Sequence, residues 1–461
     1  MSVKMRLSKM CVPYVRSSVP VEKSAGKPSW RIAAAFAMTA VLCACSSTPQ
    51  NLGQIGAVKG VLGGITGDEP LAVQTARDVL SSGGTAADAA VALYATMTVT
   101  KPSVAGIGGG GVCVVHDRVA KKIEVLDFWP RPGTKTAEGQ TYTAVPGVPR
   151  GLYALSARYG RLPWGQLIAS AEQDARFGTP LSRSLKMDLD AARDKVLSTP
   201  SLAQIYSRDG KLLEVGDRVQ QFGLGALLTS LRVKGPGDFY NGGLAAQIVT
   251  SVQNAGGTLT LADLNNYKPV WRAATAVKSG NENLYFTHPP KSATGTGAIS
   301  GDGDVVDVLN RYLADIDNAP ANTARGGRSG FVVVDLAANA VACETTMNEP
   351  FGVGVGAPAF GLDLASGDVA APLVGPVLKI NPNVNEFYYG IAGTDTPAGA
   401  TAQIAKMAED LVGTGSAANV AMNNNGVASV NVISCSQGVP PHPESCRFIA
   451  DPAGGGMAIG R

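Results

Sequence analysis

Leu71, Val73, Ala76 and Leu80 repeat at helical spacing, a glycine pair follows at Gly83-Gly84, and Ala86 to Met97 then runs with few polar breaks. This pattern predicts two helices joined at the glycines, since an apolar stripe of period 3.6 marks a buried helical face and glycine ends a helix cheaply. Beyond the glycine-rich stretch Gly106 to Gly111, two β-rich runs, Val112 to His116 and Ile123 to Phe128, flank a charged turn and predict a hairpin. From about 147 to 275 the chain reads as mostly helical, with amphipathic spacing in Trp164 to Phe177, Gly223 to Val233 and Gly243 to Ala255. Phe331 to Asp335 and Ala340 to Thr346 predict a second hairpin, and Phe387 to Ile391 and Ala428 to Ile433 further strands. The class is therefore mixed α and β, with sheet from both ends of the chain. No internal repeat breaks residues 70–461 into separate units.

Composition narrows the function classes. The chain has 461 residues, 45% hydrophobic and 16% charged, enough apolar material for a large core. Thirty-nine Lys and Arg against 36 Asp and Glu leave a net charge of +3 with no basic block, so a nucleic-acid partner is not expected. Residues 1–44 differ in kind: Lys27 and Arg31 precede an apolar run, Ile32 to Leu42, too short to span a membrane. They read as an export signal. Its end, Leu42-Cys43-Ala44-Cys45, resembles the bacterial lipoprotein box, which makes Cys45 the expected acylated first residue and 45–69 a tether. The expected location is the periplasmic side of a bacterial envelope, at the outer membrane, held there by the lipid; plain cleavage near Ala44 is the alternative. Cys435 and Cys446 bracket a proline-rich loop and are open to bridging, whereas Cys113 and Cys343 lie in apolar runs and read as small buried hydrophobes.

The three histidines, His116, His288 and His442, are isolated from one another, so neither a histidine metal cluster nor a Ser-His-Asp triad is expected. The glycine run precedes a strand and lacks the helix and lysine of a phosphate loop. No metal or cofactor is expected. What remains is chemistry from hydroxyls, backbone amides and carboxylates, suited to an amidase whose nucleophile does not need histidine.

Ser82-Gly83-Gly84-Thr85-Ala86-Ala87-Asp88, the Gly106 to Gly111 run and Leu126-Asp127-Phe128 resemble the large-subunit signature of the gamma-glutamyltransferases. Val145-Pro146-Gly147, Arg158 to Trp164, Asp238-Phe239-Tyr240, Gly256 to Thr260 and Pro289-Pro290 continue the resemblance in order. Thr345-Thr346-Met347-Asn348 and the ending from Ala450 resemble the small subunit. The resemblance implies an α+β, four-layer αββα N-terminal-nucleophile hydrolase fold, with a large-subunit-like part 70–327 and a small-subunit-like part 328–461. It also implies acyl transfer from gamma-glutamyl amides to water or amino acids, by a threonine exposed through self-cleavage and serving as its own base.

Within that resemblance several positions depart. Counting back from Asp335 puts Arg328 where the family has its nucleophile, and Ser329 is the nearest hydroxyl. A one-residue shift along a strand turns a side chain to the other face, so Ser329 serves as nucleophile only if a bulge intervenes. Gly326, Gly327 and Gly330 favour a flexible loop over a strained scissile peptide. Trp129 stands at the arginine that grips the substrate carboxylate, and Arg131, two residues on, is the candidate replacement. The register assigns Thr346 to the contact with the nucleophile and Gly393 and Gly399 to a loosened oxyanion element, with Asn348 and Asp368 as substrate contacts. These departures leave three readings: a scaffold with impaired transfer, retained as a non-catalytic envelope protein binding a peptide or amino acid; an active enzyme using Ser329 or a displaced residue; or a decaying gene product with no selected role.

Overall fold

The computed structural model describes residues 63–134, 139–291, 305–318, 327–368, 373–394, 397–412, 429–451 and 454–460. The leader, Cys45 and Gly326 lie outside them.

A seven-stranded antiparallel sheet draws on both ends of the chain. Its strands are β1 (Gly63–Gly67), β2 (Gly110–Asp117), β3 (Lys122–Phe128) and β4 (Val270–Ala273), with three more from the carboxy-terminal part of the chain. After β4 the chain crosses at Ala274 into a six-stranded sheet, whose first strands are β5 (Thr275–Ser279) and β6 (Glu282–Phe286). The hairpin β7 (Arg328–Asp335) and β8 (Ala340–Thr346) returns to the first sheet, β9 (Val377–Asn381), β10 (Glu386–Gly393), β11 (Val430–Val439) and β12 (Cys446–Ala450) complete the second, and β13 (Met457–Gly460) closes the first. The orders are β4-β3-β2-β8-β7-β1-β13 and β5-β6-β9-β10-β11-β12. Both hairpins expected from alternation are present, and β2 pairing β8 joins them at the centre of the first sheet.

Helices cover the outer faces. The glycine pair separates α1 (Pro70–Ser81) from α2 (Ala86–Thr100), as the spacing predicts. Helix α2 is buried along its whole length, which is why it is alanine-rich and has no polar face. Thr85 caps it and Asp88 returns the bond to the Thr85 amide at 2.9 Å, pairing two otherwise orphaned donors. With α3 (Val148–Tyr159), α4 (Trp164–Phe177), α5 (Phe222–Lys234) and α6 (Gly243–Asn254) it packs on the first sheet through Tyr94, Phe331, Val333 and Val341. Helices α7 (Val305–Asp317) and α8 (Pro397–Val412) cover the second sheet through Leu309, Tyr312, Met407 and Val432. Between the sheets lie Val112, Val114, Val332, Leu378 and Ile433. The result is four layers, αββα.

Candidate active site

Side chains on a strand alternate faces. Val332 and Val334 of β7 enter the layer between the sheets, and Phe331 and Val333 the helical layer. Pairing with β8 is regular, Arg328 opposite Thr346, Ser329 opposite Thr345 and Gly330 opposite Glu344, with no bulge. Arg328, Gly330, Glu344 and Thr346 therefore share the face that looks toward the second sheet, and Ser329 takes the other. Gly330 is not part of a loop: it sits inside the strand because β10 approaches there, a Cβ at Gly330 falling 2.6 Å from the Gly393 nitrogen. Gly327, with φ +82°, abuts the Glu349 backbone just before the strand.

Arg328 is nearly enclosed, 6% exposed. Its Nη1 lies 3.4 Å from Glu344 Oε1, and its guanidinium carbon stands 5.4 Å from the ring centroid of Trp129. Glu344 is buried too, and an ionised carboxylate in such a place requires a cationic or hydrogen-bonding partner. Trp129 is held from both sides of its peptide: the Tyr267 hydroxyl donates to its carbonyl at 2.9 Å, and its amide donates to Asp127 Oδ1 at 3.2 Å. Two residues that depart from the family pattern, far apart in sequence, thus meet, and Glu344 makes the third member of the group.

Ser329 is fully buried, and its Oγ donates to Asp68 Oδ2 at 2.5 Å. Asp68, just past β1, also accepts the Ser429 hydroxyl and Asn431 Nδ2, the latter at 2.7 Å, while Asn431 donates to the Gly330 carbonyl at 2.9 Å. This knot ties β1, β7 and β11 together. Nothing in the order of the chain marks Asp68, Ser429 and Asn431 as neighbours. Beside it, Glu69 caps α1 and accepts the Ser182 hydroxyl at 2.8 Å; burial pushes its carboxyl up to about 7. Burial lowers the Lys101 ammonium, but Asp188, at 2.8 Å, and Asp68 outweigh it and hold the group above its ordinary value.

Thr346 and Asn348 are joined, the Asn348 amide donating to Thr346 Oγ1 at 2.8 Å. Asn348 Nδ2 donates to the Ser366 carbonyl at 2.8 Å, and Ser366 Oγ accepts the amide of exposed Asp368 at 3.3 Å. Arg131 pairs with Asp127 at 2.8 Å, and its side chain is 41% exposed, so its guanidinium is engaged by the neighbouring carboxylate and does not stand in the place Trp129 fills. Gly393 ends β10 against Gly330; Gly399, in the first turn of α8, packs on the Thr394 carbonyl. Cys113 and Cys343 are buried as expected, yet they are not thiols: they lie opposite each other on β2 and β8 and form a disulfide, as do Cys435 and Cys446 on β11 and β12. Among the described residues no group of three or more His, Cys, Asp or Glu is placed to hold a metal ion.

Residues 72–301 match the family model of gamma-glutamyltranspeptidase. The chain belongs to that family, as a diverged member. It is 31% identical over 270 residues to Scoloptoxin SSD14 of Scolopendra dehaani, covering 55% of this chain and 47% of that protein. It is 33% identical over 244 residues to the glutathione hydrolase of Aspergillus flavus, covering 50% and 41%. The chain thus spans about half the length of these curated relatives, and the family match ends before Arg328. In architecture it is similar to the cephalosporin acylase of Bacillus halodurans, with a TM-score of 0.67 and 18% identity over 88% of this chain and 97% of that one. The four layers are those of the N-terminal-nucleophile hydrolase fold.

Proposed function

We propose that this protein keeps the gamma-glutamyltransferase scaffold but is impaired in acyl transfer, and acts in the bacterial envelope as a non-catalytic binder of a peptide or amino acid, anchored by a lipid on Cys45. One observation carries the reading: Arg328, which counting back from Asp335 puts at the nucleophile's place, is buried, with Glu344 at 3.4 Å and the Trp129 ring at 5.4 Å. A guanidinium cannot take up and pass on an acyl group. A cut made by an N-to-O acyl shift needs a hydroxyl or thiol immediately after the scissile bond, which excludes Gly327-Arg328 and leaves Arg328-Ser329 as the local candidate.

A second reading has its own support. Ser329 Oγ lies 2.5 Å from a carboxylate able to accept its proton, the arrangement of a hydroxyl paired with a base. Against it stand the complete burial of Ser329 and the competing donors on Asp68. The two readings part on freshly purified protein. Intact mass under denaturing, reducing conditions is expected to give one uncut mature chain, and gamma-glutamyl anilides are expected to be hydrolysed no faster than background. Two fragments with a new terminus at Ser329, lost in Ser329→Ala, would establish the enzyme reading. For the anchor, acyl-label incorporation lost in Cys45→Ala is the expected result, and unchanged processing of that variant would remove it.

A further inference from the structure

Far from Arg328, the other end of the first sheet opens into a cavity. Val115 of β2 and Val341 of β8 lie directly opposite each other and face the helical layer, where they line an open space of about 170 Å³. Ala86 and Ala87, at the start of α2, line it with methyl groups, and Val119, 80% exposed, stands at its mouth. Val341 is five residues along β8 from Thr346, the partner of Arg328, so roughly 17 Å separates the cavity from that group.

Two side chains of opposite charge line this same space. Asp117 follows Val115 by two residues on β2 and so shares its face, and Arg161, just past α3, is exposed. Asp117 Oδ1 accepts the Ala120 amide at 2.9 Å, and Arg161 Nη1 donates to the Gly83 carbonyl at 3.1 Å. A carboxylate has roughly four acceptor positions and a guanidinium roughly five donors, so each keeps most of its capacity. Among the described residues the two pair neither with each other nor with another charged side chain. The Ala86 amide is already spent on Asp335 Oδ2 at 3.0 Å, so the start of α2 contributes shape and the charge comes from Arg161.

A cation and an anion held apart in one small cavity are both satisfied by a molecule that carries a carboxylate and an ammonium close together. The guanidinium fork takes the carboxylate and the aspartate takes the ammonium. Size sets the rest: a cavity of roughly 150 Å³ holds benzene, and alanine has no more heavy atoms than benzene. We infer that this cavity binds a free α-amino acid with a short apolar side chain, which rests against Val115, Val341 and Ala86. The site is distinct from the cleft that holds the positions matching the family's substrate contacts, and it does not depend on whether acyl transfer occurs.

Calorimetry with the full chain and L-alanine tests this. Saturable binding is expected, and N-acetyl-L-alanine, which lacks the ammonium, and L-alaninamide, which lacks the carboxylate, are each expected to bind at least tenfold more weakly. Asp117→Asn keeps the acceptor for the Ala120 amide, and Arg161→Met changes an exposed side chain, so both are expected to unfold at urea midpoints close to the parent's while losing at least tenfold in alanine affinity. Arg161→Lys, which keeps the charge and loses the fork, is expected to fall between the parent and Arg161→Met. No saturable binding to the parent, or equal binding of either blocked analogue, would overturn the site. Alanine affinity unchanged in both Asp117→Asn and Arg161→Met would overturn it too, while leaving the reading of an amino-acid binder standing. Anilide hydrolysis by the parent would overturn the non-catalytic reading alone.

Discussion

Replacing Glu344 by glutamine leaves the Arg328 guanidinium buried beside a neutral group, and the structure sets the scale of the penalty. Two unit charges 3.4 Å apart attract by roughly 5 kcal/mol at an effective dielectric constant of about 20, which is a ceiling because both ions were desolvated to reach this place. Breaking a buried pair by removing one partner costs about 3–5 kcal/mol, and the glutamine oxygen restores part of that as a neutral acceptor. The Trp129 face retains its attraction for the guanidinium, worth about 1 kcal/mol. The expected loss for Glu344→Gln is therefore about 3 kcal/mol. It is read as a lower urea midpoint with an unchanged slope. Combining it with Arg328→Met removes both charges of the pair, so the double variant is expected within about 1 kcal/mol of the parent, since neutral replacement of a buried pair often costs little. A Glu344→Gln loss below about 1 kcal/mol, or a double variant that merely sums its singles, would show that the pair does not balance itself as argued.

Two buried groups should tilt stability in opposite directions with pH. Burial lowers His116 to about 4, so its contribution is present above its unfolded value near 6.5 and lost on acidification toward 4; burial raises Glu69 to about 7, so its contribution is present below 4.5 and lost as pH rises to 7. Relative to the parent, His116→Phe should therefore remove a rise with pH, and Glu69→Gln a fall, each about 1.4 kcal/mol per pH unit between roughly 4.5 and 6.5; urea midpoints at three pH values check this, and parallel profiles would refute it. Gly330→Ala places a methyl 2.6 Å from the Gly393 nitrogen and 2.7 Å from the Ala392 Cβ, backbone and short side chain that cannot swing aside. It should cost about 1–3 kcal/mol by overpacking, and a loss under about 0.5 kcal/mol in denaturant unfolding would show that the sheets separate more easily than described.

Local pattern carried much of the architecture. The helices at 70–81 and 86–100 and both hairpins of the first sheet follow from periodicity and turn residues, and the turning away of Ser329 follows from the two-residue period of a strand. Long-range meetings were not legible. Trp129, just past β3, and Arg328 on β7 meet only because β3, β2, β8 and β7 lie side by side, and no feature of either segment encodes that adjacency. The Cys113 to Cys343 pairing was hidden for the same reason, each cysteine sitting in an apolar strand that also suits a thiol. Gly330 misled through its local preference: read alone it suggests a loose turn, whereas the close approach of β10 requires the missing side chain. The carboxylate knot at Asp68 needed three segments to be folded before it could be seen.

The Cys113–Cys343 bond makes residues 113–343 a covalent ring, because its two ends lie on opposite sides of Arg328. A chain cut at that point without such a bond would be two polypeptides held by packing alone, which dilution or denaturant can part and which partner exchange can reshuffle. In this protein a single break anywhere in the ring opens it without releasing a piece. The halves would keep a fixed one-to-one ratio through unfolding and refolding, and no mixed molecule could arise from two differently altered copies. Only a reductant acting on a bond buried in the first sheet would let the parts assort independently.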